Sequence, residues 1–578
     1  MGAAFLLALL CGAFFVPVLS AQDLRDLKPE PVAPQVAPPE GEIIPPAPAQ
    51  VSPAPADETV MVEALLGLVF VTAADQVQPS PAIPEGGLDA GRVPLLADPE
   101  ARAMLQERYL GKPVSMAALQ RLVMDLYLHY SRTDTPFVSI TLPEQDITSG
   151  VVQVMVRESR AGAIRIDGAR YFSEDLYRSS MRLKPGDPVR KSVLNGDADW
   201  INRNPFRAGN FFMAPGGEPG TTDFEFRVNE RLPLRVYAGY NNAGTDTTGK
   251  NRAETGLNWG NAFGLGHQLN YQFTTNTEFE DYAAHSGSYL VPLPWRDALT
   301  LSGVYSTIHS RMPEPFNQDG KSSELNLQYD HDLQACGAYT QGLSLLFDYK
   351  NSDNNMEFSD EPVTDNTTYI MQASLVYSGN LPDSLGATGF TGRLTYSPGD
   401  LGHYNKDEYF DITRAGAEAD YTYANLRLTR SLTLPAAFSL DLSATGQLSN
   451  RNLLGSEQVQ FSGQFGVRGY DDDAVYADTG YLLRAELLLP LIFPARMLAD
   501  REWKDPFQPF LFCDYGMGEN VDPLPDEDPT TIVRSAGAGC RYHIDRYLSV
   551  DFSYGWQLKS LEGEDRGSKG HIRVLLSS

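Results

Sequence analysis

The side chains able to do chemistry in this chain are charged groups set among glycines and aromatics, and they lack the spacings that catalysis needs. There is no G-x-S-x-G, no H-E-x-x-H and no G-x-x-x-x-G-K-S/T, and the eight histidines are scattered without metal-ligand spacing. Asp471-Asp472-Asp473 fits no ligand loop, so these three carboxylates are expected to be solvated. The remaining candidates are Arg468 in Gln464-Phe465-Gly466-Val467-Arg468-Gly469-Tyr470, Glu486 in Gly480-Tyr481-Leu482-Leu483-Arg484-Ala485-Glu486, and Asp514 in Phe510-Leu511-Phe512-Cys513-Asp514-Tyr515-Gly516. Their chemistry is recognition of charge by charge, because a planar guanidinium can hold a carboxylate through two parallel hydrogen bonds. Taken alone, Arg468 reads as an exposed loop arginine. Neither an enzyme nor a cofactor is expected.

The elements that carry these residues alternate with period two. Leu548, Val550, Phe552, Tyr554 and Trp556 share one face against Ser549, Asp551, Ser553 and Gly555, and Leu269, Tyr271 and Phe273 oppose Asn270, Gln272 and Thr274. A soluble sandwich alternates too. Three features favour a membrane barrel: charge on the polar face, as at Arg484 and Glu486; aromatics at strand ends; and short turns (Leu293-Pro294-Trp295, Gly379-Asn380-Leu381-Pro382) taking turns with long loops (307–321, 518–530). Sixteen antiparallel strands are predicted over residues 232–578, starting near 234, 251, 267, 286, 298, 321, 343, 368, 389, 416, 437, 478, 508, 531, 546 and 570. The connection 450–477 carries Arg468 and is too ordered in pattern for a surface coil.

Two small α+β units precede the barrel, each reading strand, helix, helix, strand, strand. In the first (60–158), strands 66–72, 136–142 and 150–156 flank helices 99–110 and 115–131, the second capped by Ser115. In the second (159–231), strands 163–167, 206–214 and 222–228 flank helices 173–181 and 190–202. Each unit presents a sheet edge, predicted near Phe137, Val138, Ile140, Val152 and Val154, where an extended peptide could add as a further strand. Upstream, ten prolines between Pro29 and Pro55 mark residues 22–59 as an extended linker. Residues 1–21, with an apolar block at 3–19, read as a secretory signal peptide without its charged start.

Composition fits this plan. With 46 Lys+Arg against 74 Asp+Glu the net charge is −28, which argues against nucleic acid as a partner. A mean hydropathy of −0.28 is what a lipid face averaged with a water face produces. Outside the apolar block at 3–19, Cys336, Cys513 and Cys540 are an odd set, no disulfide framework.

These motifs together resemble the haemolysin secretion/activation family, the transporters of two-partner secretion. Val467-Arg468-Gly469-Tyr470, the Glu486 strand and Phe512-Cys513-Asp514-Tyr515-Gly516 look like the tip of that family's sixth extracellular loop and the two strands after it. Leu142-Pro143-Glu144-Gln145-Asp146 with Gly150, and Asn204-Pro205-Phe206-Arg207 with Pro219-Gly220-Thr221-Thr222-Asp223, look like its paired polypeptide-transport-associated (POTRA) domains. The resemblance implies that the loop folds into the lumen, where Arg468 meets Asp514, with Val467, Gly469, Tyr470, Phe512, Gly516 and Glu486 around the pair. Alternation then faces Asp514 inward with Phe512 and Gly516, and Cys513 and Cys540 outward as buried thiols, a cross-strand disulfide being the alternative.

The expected function is that of a monomeric translocator in outer-membrane lipid. It captures an unfolded exoprotein partner in the periplasm and passes it through the barrel. The alternative is a barrel-assembly insertase, which usually carries more POTRA units than two. One departure stands out: the family's helical plug has no counterpart in the proline-rich N-terminal segment, so the pore is expected to be closed in another way.

Overall fold

The computed structural model describes residues 28–33, 36–39, 57–246, 248–310, 316–358, 361–495, 504–524, 529–561 and 565–578. The predicted signal peptide and most of the proline-rich linker lie outside the described residues, as do the middles of the predicted loops 307–321 and 518–530. The chain forms two compact units, Ala33–Leu232 on one hand and the barrel residues Pro233–Ser578 with the N-terminal segment up to Val32 on the other.

The first unit contains both α+β modules. In the first module are β1 (Val60–Val62), β2 (Gly67–Val71), β3 (Leu88–Asp89), helix α1 (Pro99–Tyr109), β4 (Val114–Ser115), helix α2 (Met116–Ser131), β5 (Val138–Thr141) and β6 (Val151–Glu158). Ser115 caps α2 by accepting a hydrogen bond from the Ala118 N–H at 3.1 Å, and Leu119, Leu122, Leu126 and Tyr130 form its buried face. That face packs on Leu68, Phe70, Val152 and Val154 of the sheet.

The sheet order is β3-β2-β6-β5, with β6 parallel to β2 and antiparallel to β5. This corrects the predicted edge. Val152 and Val154 lie on β6, between two neighbours and fully buried, and Phe137 packs edge-on against Phe224 of the second module, ring centroids 6.2 Å apart. Val138 and Ile140 do lie on the edge strand β5, but the outward Ile140 N–H already donates to Tyr127 Oη at 3.2 Å. Alternation identifies a strand without saying which strands flank it, and the parallel β2–β6 pairing spans both helices.

The second module has β7 (Arg160–Asp167), α3 (Glu174–Ser180), α4 (Lys191–Asn202), β8 (Arg207–Pro215) and β9 (Thr221–Glu230), in sheet order β7-β9-β8. Helix α4 has no side-chain cap of its own at Arg190. Asp134 of the first module supplies one: its carbonyl accepts from Lys191 N–H at 2.8 Å and its carboxylate from Ser192 N–H at 2.7 Å.

The barrel closes with sixteen antiparallel strands. They are β10 (Leu234–Asn241), β11 (Arg252–Ala262), β12 (His267–Asn276), β13 (Tyr282–Pro292), β14 (Ala298–Ser310), β15 (Phe316–Cys336), β16 (Tyr339–Phe358), β17 (Glu361–Asp383), β18 (Gly386–Pro398), then, after helix α5 (Asp407–Thr413), β19 (Asp420–Thr433) and β20 (Ser439–Ser449). A small ribbon, β21 (Val459–Gln460) with β22 (Tyr476–Ala477), stands apart from the wall, which continues as β23 (Thr479–Leu488), β24 (Phe507–Glu519), β25 (Thr530–Ile544), β26 (Leu548–Gln557) and β27 (Ser568–Ser577). Closure is made by β10 against β27, from Tyr237↔Ser577 to Asn241↔Arg573.

Strand lengths differ from expectation. β15, β16 and β17 run 21, 20 and 23 residues, about twice the ten that a bilayer needs. The predicted turn Gly379–Pro382 is therefore inside β17, and the hairpin turns at Ser384-Leu385. Beyond the lipid a ladder can continue through polar sequence, because its hydrogen bonds are between backbones, and no hydropathy pattern marks where it stops.

Candidate functional site

Residues 450–478 connect β20 to β23, and much of this connection is buried. The β21–β22 ribbon forms its neck, and beyond it the chain turns tightly, with Val467 N–H donating to Phe461 O at 2.9 Å and Gly463 N–H to Val467 O at 3.1 Å. Val467, Phe461 and Tyr470 are buried with Leu482 and Val533 of the barrel wall, so the tip is fixed by apolar packing before any charge is considered.

Arg468 projects from this tip into a ring of wall residues. Its Nε donates to Asp514 Oδ2 at 2.7 Å and its Nη2 to Asp514 Oδ1 at 2.8 Å, while Nη1 donates to Glu486 Oε1 at 2.5 Å. The Arg468 backbone N–H adds a bond to Asp514 Oδ2 at 3.2 Å. The guanidinium also lies over the Phe512 ring, 3.6 Å from its centroid. The Arg468 side chain is 4% exposed and that of Asp514 is 0% exposed, which leaves water little part in the pairing. Glu486 is shared: its second oxygen accepts from Arg541 Nη2 at 2.6 Å. Arg484 Nε stands 3.6 Å from Asp514 Oδ1.

Two glycines let the tip approach this closely. Gly469 has φ +95°, and a Cβ there would come within 2.8 Å of Gly555 O on β26. A Cβ on Gly516 would come within 3.1 Å of Val467 Cγ2. Tyr470 completes the tip, its hydroxyl donating to Lys559 O at 2.5 Å and accepting from Arg534 N–H at 3.2 Å.

The structure thus brings Val467, Arg468, Gly469, Tyr470, Glu486, Phe512, Asp514 and Gly516 together at one place in the lumen. It corrects other expectations. Asp472 is buried rather than solvated, and Lys569 Nζ lies 2.9 Å from Asp471 and 3.1 Å from Asp472. Cys513 and Cys540 are free, and Cys513 is exposed on the outer face rather than buried; Cys540 stands opposite Pro509, and Cys513 opposite Ala536, so the two are out of register for a bridge. Among the described residues no group of three or more His, Cys, Asp or Glu is arranged to hold a metal ion.

Two further features escape sequence reasoning. Asp478, fully buried, pairs with Arg414 beyond helix α5, and accepts from Leu453 N–H at 2.9 Å and Val521 N–H at 3.2 Å, which ties three loops together. Inside the barrel lies the segment Lys28–Val32: Glu30 N–H donates to Tyr237 Oη at 3.1 Å, Glu30 O accepts from Asn258 Nδ2 at 3.0 Å, and the Glu30 carboxylate meets Arg573. A lone acid among prolines was the only signal for it.

A closed sixteen-stranded barrel with a wet, charged lumen filled by its own loop, preceded by two small α+β modules, defines the class of outer-membrane protein transporters. The chain belongs to the haemolysin secretion/activation protein family ShlB/FhaC/HecB, which it matches over residues 220–542. It is similar to the heme/hemopexin transporter protein HuxB of Haemophilus influenzae, at 22% identity over 72% of each chain. It is also similar to the hemolysin transporter protein ShlB of Serratia marcescens, at 24% identity over 81% of this chain and 86% of that one. The fold is shared with CdiB from Escherichia coli, with a TM-score of 0.72 at 16% identity over 95% of this chain and 94% of that one. The protein is a two-partner secretion transporter, its barrel in the outer membrane and its POTRA domains in the periplasm, working with a secreted exoprotein.

Proposed function

We propose that the loop tip is a lock on the pore. Arg468, clamped between Asp514 and Glu486, holds residues 450–477 inside the barrel (232–578) until an exoprotein in transit displaces them. The POTRA modules 60–158 and 159–231 capture the unfolded chain, residues 22–59 tether them, and residues 1–21 are a signal peptide. The transporter works as a monomer in outer-membrane lipid and is not an enzyme. With no nucleotide site in the sequence, transport runs downhill on folding of the passenger outside.

The observation that carries this reading is the buried bidentate Arg468–Asp514 pair, because two parallel charge-assisted hydrogen bonds fasten the loop tip to β24 with almost no exposure to water. Capture by strand addition is supported at β8 rather than at the first module. Asn202 bonds both backbone groups of Gly209 at 2.7 and 3.1 Å, so Gly209 faces away from β9; by alternation Phe211 and Met213 face the same way, and while the Phe211 N–H donates to Asn210 Oδ1 at 2.9 Å, Met213 offers its peptide groups to an added strand. The test is secretion of the cognate exoprotein by Arg468→Ala and Asp514→Ala variants whose barrels insert normally. The reading predicts impaired secretion in both, and wild-type secretion in both contradicts it.

A further inference from the structure

The lipid-facing side of the wall carries a hollow of about 580 Å³ that reaches from β19 across β20 and β23 to β24. Side-chain size makes it. In one row of the ladder Leu428, Ala444, Leu483 and Tyr515 stand opposite one another. In the next row Arg430 faces Leu442, which faces Ala485, which faces Cys513. Both rows point outward, and the small side chains of Ala444, Ala485 and Cys513 leave a floor between Leu428, Leu442 and Leu483, which are 38–44% exposed.

One corner of the hollow is charged. Arg430 interrupts the otherwise apolar outward row Leu426, Leu428 and Leu432 of β19, three residues before the strand ends at Thr433. That end is periplasmic, because β19 is the tenth strand counted from the POTRA side and runs back to it. Arg430 Nη1 donates to Asp383 Oδ2 at 2.6 Å and to Thr388 Oγ1 at 2.9 Å, and Nη2 donates to Asp383 Oδ1 at 3.1 Å. Asp383 Oδ1 also accepts from the N–H groups of Leu385 and Gly386, at 2.8 and 3.0 Å. Two groups stay open. Among the described residues the Arg430 Nε–H and the Nη2 proton beside it meet no acceptor, and such an edge of parallel donors matches a phosphate. Asp383 Oδ2 accepts from Arg430 alone, and the Asp383 side chain is 41% exposed. An ion pair that only fastened the turn would need neither an open donor edge nor an apolar hollow beside it.

We propose that this hollow seats one phospholipid of the periplasmic leaflet with a zwitterionic phosphoethanolamine head. The phosphate lies on the Nε–Nη2 edge of Arg430 and the ammonium on Asp383 Oδ2, so each charge of the head meets its opposite. One acyl chain runs over Ala444, Ala485 and Cys513. Cys513 stands six residues above the periplasmic start of β24 at Phe507, so the chain rises into the membrane as it crosses the wall.

The experiment is native mass spectrometry of the full-length transporter in detergent, with added phosphatidylethanolamine or phosphatidylglycerol of the same acyl chains. One ethanolamine lipid is expected to stay on each barrel under activation that strips the others. Phosphatidylglycerol is expected to be retained severalfold less, because its head has no ammonium for Asp383. Asp383→Asn keeps the acceptor for Leu385 and Gly386 and is expected to remove that preference, whereas Arg430→Gln is expected to weaken retention of both lipids severalfold. Blocking Cys513 with N-ethylmaleimide in the folded protein, with Cys336 and Cys540 replaced by serine, is expected to abolish retention. Equal retention of the two lipids by the unaltered protein overturns the proposal. So does undiminished retention after Cys513 is blocked, or a second copy of the chain that occupies this face and excludes the lipid. Should Arg430→Gln not insert, the headgroup comparison and the Cys513 block decide.

Discussion

Arg468 and Asp514 meet through two parallel hydrogen bonds of 2.7 and 2.8 Å, made from the tip of a long loop to the inner face of a strand 46 positions further along the chain. Burial of both charges costs desolvation, and what offsets it is the hydrogen bonding: all three guanidinium nitrogens donate, two to Asp514 and the third to Glu486.

Glu486 is the weaker partner of Arg468, because it also accepts from Arg541. Glu486→Gln keeps the side-chain shape and the Asp514 pair, and is expected to lower secretion only partly, equivalent to about 1–3 kcal/mol of loop seating. Secretion rates of Glu486→Gln, Asp514→Asn and the double variant check this. The double variant is expected to fall short of the product of the two single effects, since both act on one guanidinium.

Gly469→Ala tests the close approach. A methyl group at φ +95° and within 2.8 Å of the Gly555 carbonyl oxygen has no room on either strand or loop backbone. The variant is expected to insert, to expose the loop to added protease, and to lose secretion about as far as Arg468→Ala. Protease resistance equal to wild type would count against the packing described.

Met213→Pro tests capture at β8. Proline removes an outward N–H without touching the ladder to β9, because the Met213 peptide groups alternate with those that bond β9. Binding of the unfolded exoprotein to the full-length transporter is expected to drop severalfold while pore conductance stays unchanged. Undiminished binding would move the capture site elsewhere.

Much of the architecture was legible because period-two alternation marks the wall strands, as along β26, where Phe552, Tyr554 and Trp556 are exposed on the outer face and Ser553 is buried inside, as their spacing requires. Ser115 and Ser173 mark their helix starts for the same local reason, a hydroxyl three residues before an amide that needs an acceptor. What alternation cannot carry is partnership. Nothing in the row around Lys350 says that Glu457 will meet it, nothing in β6 says that it lies between β2 and β5, and nothing in Asp472 says that Lys569 on β27 will bury it. The extra length of β15–β17 was hidden for another reason, since backbone pairing beyond the lipid asks no particular side chain.

The most direct test of the central claim is to fasten the tip to the wall. Val467 Cγ2 lies 3.1 Å from where a Cβ on Gly516 would stand, within reach of a disulfide between cysteines at the two positions. In a transporter carrying Val467→Cys and Gly516→Cys, with Cys336, Cys513 and Cys540 replaced by serine, secretion is measured before and after reduction. A gating loop predicts no secretion while the bridge is closed and recovery on reduction, with the barrel inserted throughout; equal secretion in the oxidised and reduced states would contradict the account.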